Sequence, residues 1–269
     1  MVSKVAVVDL GGDAEASFKR ALQLIGNIDD LNTSKKSVVV KVGVFDPKAG
    51  HHTSVDVTKA IVNSFHKAPK IWLAESDNYR GTATERLQIW KELFNKRVAP
   101  FNLSEDKDTR KIMIAEEKMN LSHILFKPNV FVSTHVLRSY DKGSVLKNLF
   151  GLTPDRKKAR FHKKLEAVLL DAYEAIGGID FSVLDGTYWH QSVAPSQAHK
   201  KVKTNILVVG RDAVAVETIG YTLVGLKPEK IPVIKEAVKR GLGEGDVNKI
   251  EVLGSSLENL KERFKQKTT

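Results

Sequence analysis

Polar and titratable side chains follow several apolar runs of the sequence, at the points where strands are predicted to end. His135 comes directly after the run 130–133, and Asp185 follows the run 182–184. Histidine takes and gives protons near neutral pH, so we expect His135 to be a general acid or base with Asp185 as its catalytic partner. The residues expected to bind a substrate are Lys41, His52, Thr134, Arg138, Lys147, Asn148 and Arg211.

Three carboxylates near the same strand ends are candidate ligands for a divalent metal ion. Glu75 follows the run 71–74, Asp212 follows the run 206–209, and Glu217 lies in the next predicted helix. Oxygen and imidazole ligands suit such ions. Each carboxylate also has a structural alternative, since Asp212 can cap its helix and Glu217 can face solvent. A divalent metal is therefore an open expectation.

The segment 142–151 has the residue pattern of an anion site. It holds Lys147 and Asn148 between glycines and leads into Thr153-Pro154-Asp155, which is typical of a capped helix start. Backbone amides, a lysine and a helix N-terminus together favour an anion. The cations at 156, 157, 158 and 160 crowd the same turn, which is unfavourable beside a helix N-terminus unless an anion offsets them.

The net charge of +11 is concentrated in one stretch of the chain. Residues 135–164 hold nine Lys or Arg residues against two acids, which gives +7 of that total. Such a cluster favours an anionic partner. That partner is either a carboxylate- or phosphate-bearing small molecule at the strand ends, or a nucleic acid on the 138–164 face. A scaffold without activity is the third hypothesis.

The absence of certain residues and motifs excludes several classes of protein. The chain has no cysteine, so we expect no disulfide, no thiol nucleophile and no iron–sulfur cluster. It also has no P-loop, no glycine-rich dinucleotide fingerprint, no G-x-S-x-G and no H-E-x-x-H. No apolar stretch is long enough to span a bilayer, and the N-terminus lacks a signal-peptide pattern. We therefore expect a cytoplasmic protein with no membrane partner, and the oligomeric state stays open.

Short β-branched runs alternate with helical patterns, and this alternation must position the candidate residues. It predicts a mixed, largely parallel α/β sheet with helices on both faces, in a single domain over 1–269. The segment from about 77 to 118 is more polar, which indicates a possible insertion or lid, and the last few residues are expected to be disordered. The predicted strands are 5–8, 38–45, 71–74, 98–103, 130–133, 182–184, 206–209 and 250–253.

Over about residues 38–254 the sequence resembles the family called domain of unknown function 362. The matching elements are Lys41 with the loop 50–53, Thr134-His135, Lys147-Asn148 with Gly151, His162, Asp185-Gly186, and the element 210–217. The chain departs from the family pattern at Ser133, where the family has lysine, and at Glu217, where it has aspartate. Many members carry an attached ferredoxin-like domain, whose redox role cannot apply to a chain without cysteine. The resemblance implies a fold and a site but no reaction.

Overall fold

A mostly parallel eight-stranded sheet runs through the protein, in a computed structural model that describes residues 2–126, 128–191 and 200–266. The strand order is β10-β1-β9-β8-β7-β2-β3-β4, and β9 runs antiparallel to both of its neighbours. The predicted disorder at the C-terminus falls on residues 267–269, which lie outside the described residues. The strands of this sheet are β1 (Ser3–Asp9), β2 (Val38–Val42), β3 (Ile71–Glu75), β4 (Val98–Asn102), β7 (Val130–Arg138), β8 (Phe181–Gln191), β9 (Lys200–Gly210) and β10 (Ile250–Gly254).

Helices cover both faces of this sheet. In β1, Val5 and Val7 join the core under one face, whereas Ala6 and Val8 join the core under the other. Strands buried on both faces read as continuous apolar runs, which confirms the predicted fold class. Helices α1 (Ala14–Leu24), α2 (Val55–Ser64) and α3 (Ala83–Arg86) pack on one face, and α4 (Leu165–Ala175), α5 (Ala213–Leu223), α6 (Pro232–Lys239) and α7 (Leu257–Gln266) pack on the other.

The helix cap predicted at Asp212 is confirmed, and one predicted helix start is wrong. Ser54 caps α2 and Asp212 caps α5, each by accepting backbone N–H groups of the first turn. No helix begins at Thr153, because its buried hydroxyl turns back and donates to the carbonyl of Phe150. The chain instead forms 3₁₀ helices at Lys147–Leu152 and Lys158–Lys164, and α4 begins at Leu165.

The segment 77–118 does not form one insertion. Its first part continues from α3 through a 3₁₀ helix at Leu87–Leu93 into β4, which is an edge strand of the main sheet. Its second part enters a separate hairpin of β5 (Thr109–Ile114) and β6 (Glu117–Ser122). The hairpin turn is tied to α4, because the Ala115 N–H donates to Asp171 Oδ2 at 2.7 Å. None of the helices in the described part of the chain has the length and apolarity to cross a membrane.

Candidate functional site

A cavity of about 410 Å³ opens at the carboxyl ends of β2, β3, β7 and β8. Its charged lining is strongly basic, and Glu75 is the single acid among the described residues that form it. Four aromatic side chains, Phe45, Tyr79, Tyr140 and Phe150, complete much of its wall. The lysines, arginines and histidines of the lining are Lys41, Arg138, Lys147, Arg156, Lys158, His51, His135, His162 and His190.

The structure brings together half of the residues predicted from sequence. Strands β2, β3 and β7 are parallel neighbours, so their carboxyl ends meet at one edge of the sheet. The six predicted residues that line the cavity are Lys41, Glu75, His135, Arg138, Lys147 and Asn148. The six that do not line it are His52, Thr134, Asp185, Arg211, Asp212 and Glu217.

Lys41 and Glu75 form an ion pair in the floor of the cavity. Lys41 is fully buried, and its Nζ lies 2.8 Å from Glu75 Oε1. The same Nζ donates to Asn148 Oδ1 at 3.0 Å and to the Val42 carbonyl at 3.3 Å. Burial lowers the pKa of Lys41, and the charge of Glu75 partly offsets that effect. An ammonium has three N–H donors, and all three are used, so Lys41 positions its neighbours and has no donor left for a ligand.

The element formed by Lys147, Asn148 and Gly151 supports the ion pair of Lys41 and Glu75. The Asn148 amide donates to the Lys41 carbonyl at 2.7 Å, to the Thr134 carbonyl at 3.1 Å and to Ser133 Oγ at 3.2 Å. A Cβ atom at Gly151 would lie 2.5 Å from Glu75 Oε1 and 2.6 Å from Lys41 Nζ. Glycine is therefore required where the 3₁₀ helix passes over the pair, and the helix is fixed with Lys147 in the cavity wall.

Glu217 organises the loop before Lys147 and faces neither solvent nor a metal site. Its two carboxylate oxygens accept the backbone N–H groups of Ser144 at 2.7 Å and Leu146 at 2.9 Å. Burial raises the pKa of Glu217, whereas these hydrogen bonds and the charge of Arg138 favour its ionised form. Arg138 braces the same loop by donating to the Gly143 carbonyl from Nε and Nη2 at 2.9 and 2.6 Å.

His135 is a neutral imidazole in the cavity wall. Its Nδ1 accepts the backbone N–H of Val136 at 2.7 Å, so its proton is on Nε2. Burial, with the charge of Arg138 and Lys41, holds the pKa of His135 well below its usual value. The imidazole packs against Gly43, where a Cβ atom would lie 2.3 Å from its Cδ2. His135 therefore differs from the titrating histidine that the sequence predicts, and at neutral pH it is a hydrogen-bond donor.

Two further histidines stand on the same wall. The rings of His51 and His190 meet edge to face, with centroids 4.6 Å apart. His190 is buried, and burial together with the neighbouring His51 lowers its pKa to about 3. The His190 imidazole therefore stays uncharged at neutral pH and adds a polar group to this wall without adding charge.

Lys147 is a half-buried ammonium without a carboxylate partner among the described residues. Its Nζ lies 4.9 Å from the ring centroid of Phe150 and 5.6 Å from that of Tyr140. Burial lowers the pKa of Lys147 to about 7, and the charges of Arg138 and Lys142 act in the same direction. Among the cations of the described lining, Lys147 therefore has the fewest hydrogen-bond and ion-pair partners.

Arg156 and Lys158 belong to the basic stretch and also line the cavity. Lys158 Nζ donates to the carbonyls of Asp77 and Asp155, both at 2.6 Å, and burial lowers its pKa to about 8. Arg156 Nε lies 3.5 Å from Asp77 Oδ2. In the sequence these two cations crowd the turn beside the segment 142–151, and both line the cavity.

His190 and His51 carried no sequence signal that placed them at the cavity. The predicted strand ended at Leu184, whereas β8 continues to Gln191 and delivers His190 to the wall. His51 lies beside His52 in a loop; His52 is the predicted site residue, whereas His51 is the one that lines the cavity. His162 matched a family element and reaches the cavity, where its ring stacks on Phe150.

Asp185, Thr134 and His52 hold the fold behind the cavity. Asp185 Oδ2 accepts the Ser54 N–H at the start of α2 at 2.7 Å, and its Oδ1 accepts the N–H of Thr187. Thr134 Oγ1 bonds Thr53 Oγ1 at 3.2 Å, while the ring of His52 packs on Trp90. Thr134 lies within β7 and Asp185 within β8, where successive side chains point to opposite faces, and neither of them nor His52 lines the cavity.

The carboxylates predicted as metal ligands are not brought together. Glu75 pairs with Lys41, Glu217 accepts backbone amides, and Asp212 caps α5 while accepting the Ser3 hydroxyl and the Glu244 N–H. The described residues contain no group of three His, Asp or Glu side chains placed to hold a metal ion. Arg211, predicted to bind substrate, instead pairs with Asp30 at the surface.

Two of the outward cations of the 138–164 face are paired with acids. Arg160 and Lys164 both contact Glu117 of the hairpin, and Arg160 also lies 3.4 Å from Asp155. These pairs neutralise part of the stretch that the sequence assigns to a nucleic-acid surface.

Comparison with known proteins agrees with the elements described above. The family model described as domain of unknown function (DUF362) matches residues 38–222, which is more than half of the chain. The chain belongs to this family. The DUF362 region spans β2 to most of α5 and so contains Lys41, Lys147 and the other predicted residues of the cavity.

No curated protein matches the chain in sequence. A solved structure titled loganic acid methyltransferase with SAH aligns with 94% of this chain and 68% of that chain, at 13% identity. Its TM-score of 0.25 is too low to carry an argument about fold or function.

Proposed function

We propose that this protein binds an anionic small molecule, bearing a carboxylate or phosphate group, in the cavity at the strand ends. The observation that carries the proposal is the charge balance of the lining. Five Lys or Arg side chains face one acid, Glu75, and that acid is already paired with Lys41.

Three of the remaining cations have no carboxylate within ion-pair distance among the described residues. Arg138 and Lys158 contact neutral carbonyl groups, and Lys147 contacts aromatic rings. Partly buried charges without counterions are unfavourable, and a bound anion would relieve that cost. The neutral imidazoles of His135 and His190 would add N–H donors. The aromatic walls would shield the contact from water, which strengthens it.

Transformation of the bound molecule is a further part of the proposal. His135 is the imidazole placed to donate a hydrogen bond from Nε2, so its role would be to polarise an oxygen of the ligand and not to remove a proton.

Thermal unfolding with a panel of anions tests the binding proposal. Inorganic phosphate, pyruvate and citrate are compared with chloride at constant ionic strength, using the wild type, Lys147→Met and the exposed control Lys163→Met. A specific anion at 100 times its Kd should stabilise the wild type and the control by about 2.7 kcal/mol, and Lys147→Met much less.

The proposal would be overturned if the unfolding temperature did not depend on the anion in the wild type or in either variant. RNA and DNA oligonucleotides enter the same comparison for the alternative function on the 138–164 face. Binding that falls steeply with salt and is insensitive to Lys147→Met would favour that alternative.

A further inference from the structure

Lys147 differs from the other two lysines of the cavity in its hydrogen bonding. Lys41 uses all three donors, and Lys158 donates to two carbonyl groups. Among the described residues, Lys147 Nζ has no hydrogen-bond acceptor and contacts the ring faces of Phe150 and Tyr140. Its amine therefore points into the cavity with its reactive atom accessible to a bound molecule.

The surroundings of Lys147 favour its neutral form. Burial and two neighbouring cations lower its pKa to about 7, against an ordinary lysine value of 10.5. At pH 7 about half of the Lys147 side chains are then free amines, which is about a thousand-fold more than for an exposed lysine. A desolvated lysine beside other cations is an activated nucleophile toward carbonyl carbon.

We propose that Lys147 captures an anionic carbonyl compound, such as a keto acid or an aldehyde phosphate, as an imine. This inference rests on the proposed anion binding and adds the class of ligand and a covalent step. Arg138 and Lys158 line the same cavity and supply unbalanced positive charge for the carboxylate or phosphate. Lys147 supplies the amine.

The step balances without any oxidant or reductant. The lone pair of Nζ forms a bond to the carbonyl carbon, and a proton passes from nitrogen to the carbonyl oxygen to give a carbinolamine. The carbon–oxygen bond then breaks, water leaves with the second proton of the amine, and a carbon–nitrogen double bond remains. The products are one imine and one water.

Reductive trapping tests this inference on the full-length protein. Pyruvate and glyceraldehyde 3-phosphate are the probes, sodium cyanoborohydride reduces the imine, and intact mass with peptide mapping locates the adduct. The variants are Lys147→Met, Lys147→Arg, which keeps the charge but has no nucleophilic amine at this pH, and the exposed control Lys163→Met.

We expect one adduct per chain, on Lys147, with at least one probe. It should be absent from both Lys147 variants, present in Lys163→Met, and half-maximal in rate near pH 7. Adducts distributed over exposed lysines, with a yield unchanged in Lys147→Arg, would overturn the inference.

Phosphate binding measured on the same preparations separates this inference from the function it rests on. Phosphate binding without an adduct from either probe would overturn imine formation and leave anion binding standing. Failure of both phosphate binding and trapping would remove both proposals.

Discussion

Replacing Glu75 by glutamine removes the counterion of a fully buried lysine while keeping the shape of the side chain. Glu75 Oε1 lies 2.8 Å from Lys41 Nζ, and its Oε2 lies 3.9 Å from Arg86. Breaking a buried pair on one side leaves an uncompensated charge and costs about 3–5 kcal/mol. For a chain of this size that cost corresponds to a decrease of about 5–9 °C in Tm.

The pH dependence gives a second, independent measure of the same pair. The pKa of Lys41 is already lowered in the folded protein, and loss of Glu75 should lower it further. Between the lowered pKa of folded Lys41 and the ordinary lysine pKa, the unfolded chain binds more protons than the folded chain. The free energy of unfolding therefore rises with pH in that range. The deficit of Glu75→Gln should therefore shrink as the pH rises toward 10.

The assay is urea unfolding monitored by circular dichroism at pH 7 and pH 9.5. The control is Glu92→Gln, at an exposed position. The double variant Lys41→Met with Glu75→Gln removes both charges and should be more stable than Glu75→Gln alone. Two results would refute the account of the buried ion pair. One is a free energy of unfolding of Glu75→Gln within about 1 kcal/mol of the wild type, and the other is a double variant no more stable than Glu75→Gln.

Three further predictions concern the walls of the cavity. Gly43→Ala should displace the His135 ring and cost about 1–3 kcal/mol in thermal unfolding, and an unchanged Tm would contradict the close contact. Asn148→Ala should cost at least about 1–3 kcal/mol in urea unfolding, because it removes the hydrogen bonds of Asn148 to Lys41 and to the Thr134 carbonyl and leaves these buried groups unsatisfied, and a near-neutral effect would contradict the hydrogen-bond account. His190 has a pKa of about 3 when folded and 6.5 as its ordinary value, so the unfolded chain binds the extra proton between these values. Stability should therefore fall by up to about 1.4 kcal/mol per pH unit as the pH drops through this window, and His190→Gln should flatten that slope. An unchanged slope in the variant would contradict the neutral, buried imidazole.

The sheet and part of the site follow from sequence for simple physical reasons. Strands buried on both faces leave continuous apolar runs, and their carboxyl ends must meet at one edge when neighbours are parallel. That reasoning places Lys41, Glu75 and His135 together, and the unusual segment around Lys147 joins them. Helix caps are local, so Asp212 could be assigned from neighbouring residues alone.

The remaining features depend on long-range contacts that no local pattern encodes. Asp185 follows the predicted strand 182–184 but lies within β8, where it accepts the N–H of Ser54 at the start of α2, 131 residues away in the sequence. Thr153 has the neighbours of a helix cap, but the buried Lys158 side chain holds the following turn against the Asp77 carbonyl. His190 reaches the cavity because β8 pairs with β9 well beyond its apolar part.

A crystal structure of the wild type soaked in phosphate tests the central claim, that the basic cavity is an anion site. The account predicts difference density for a phosphate inside the cavity, in contact with Lys147 Nζ and with Lys158 or Arg138, and no such density in Lys147→Met crystals. Phosphate bound at exposed lysines while the cavity shows none at a saturating concentration would contradict it.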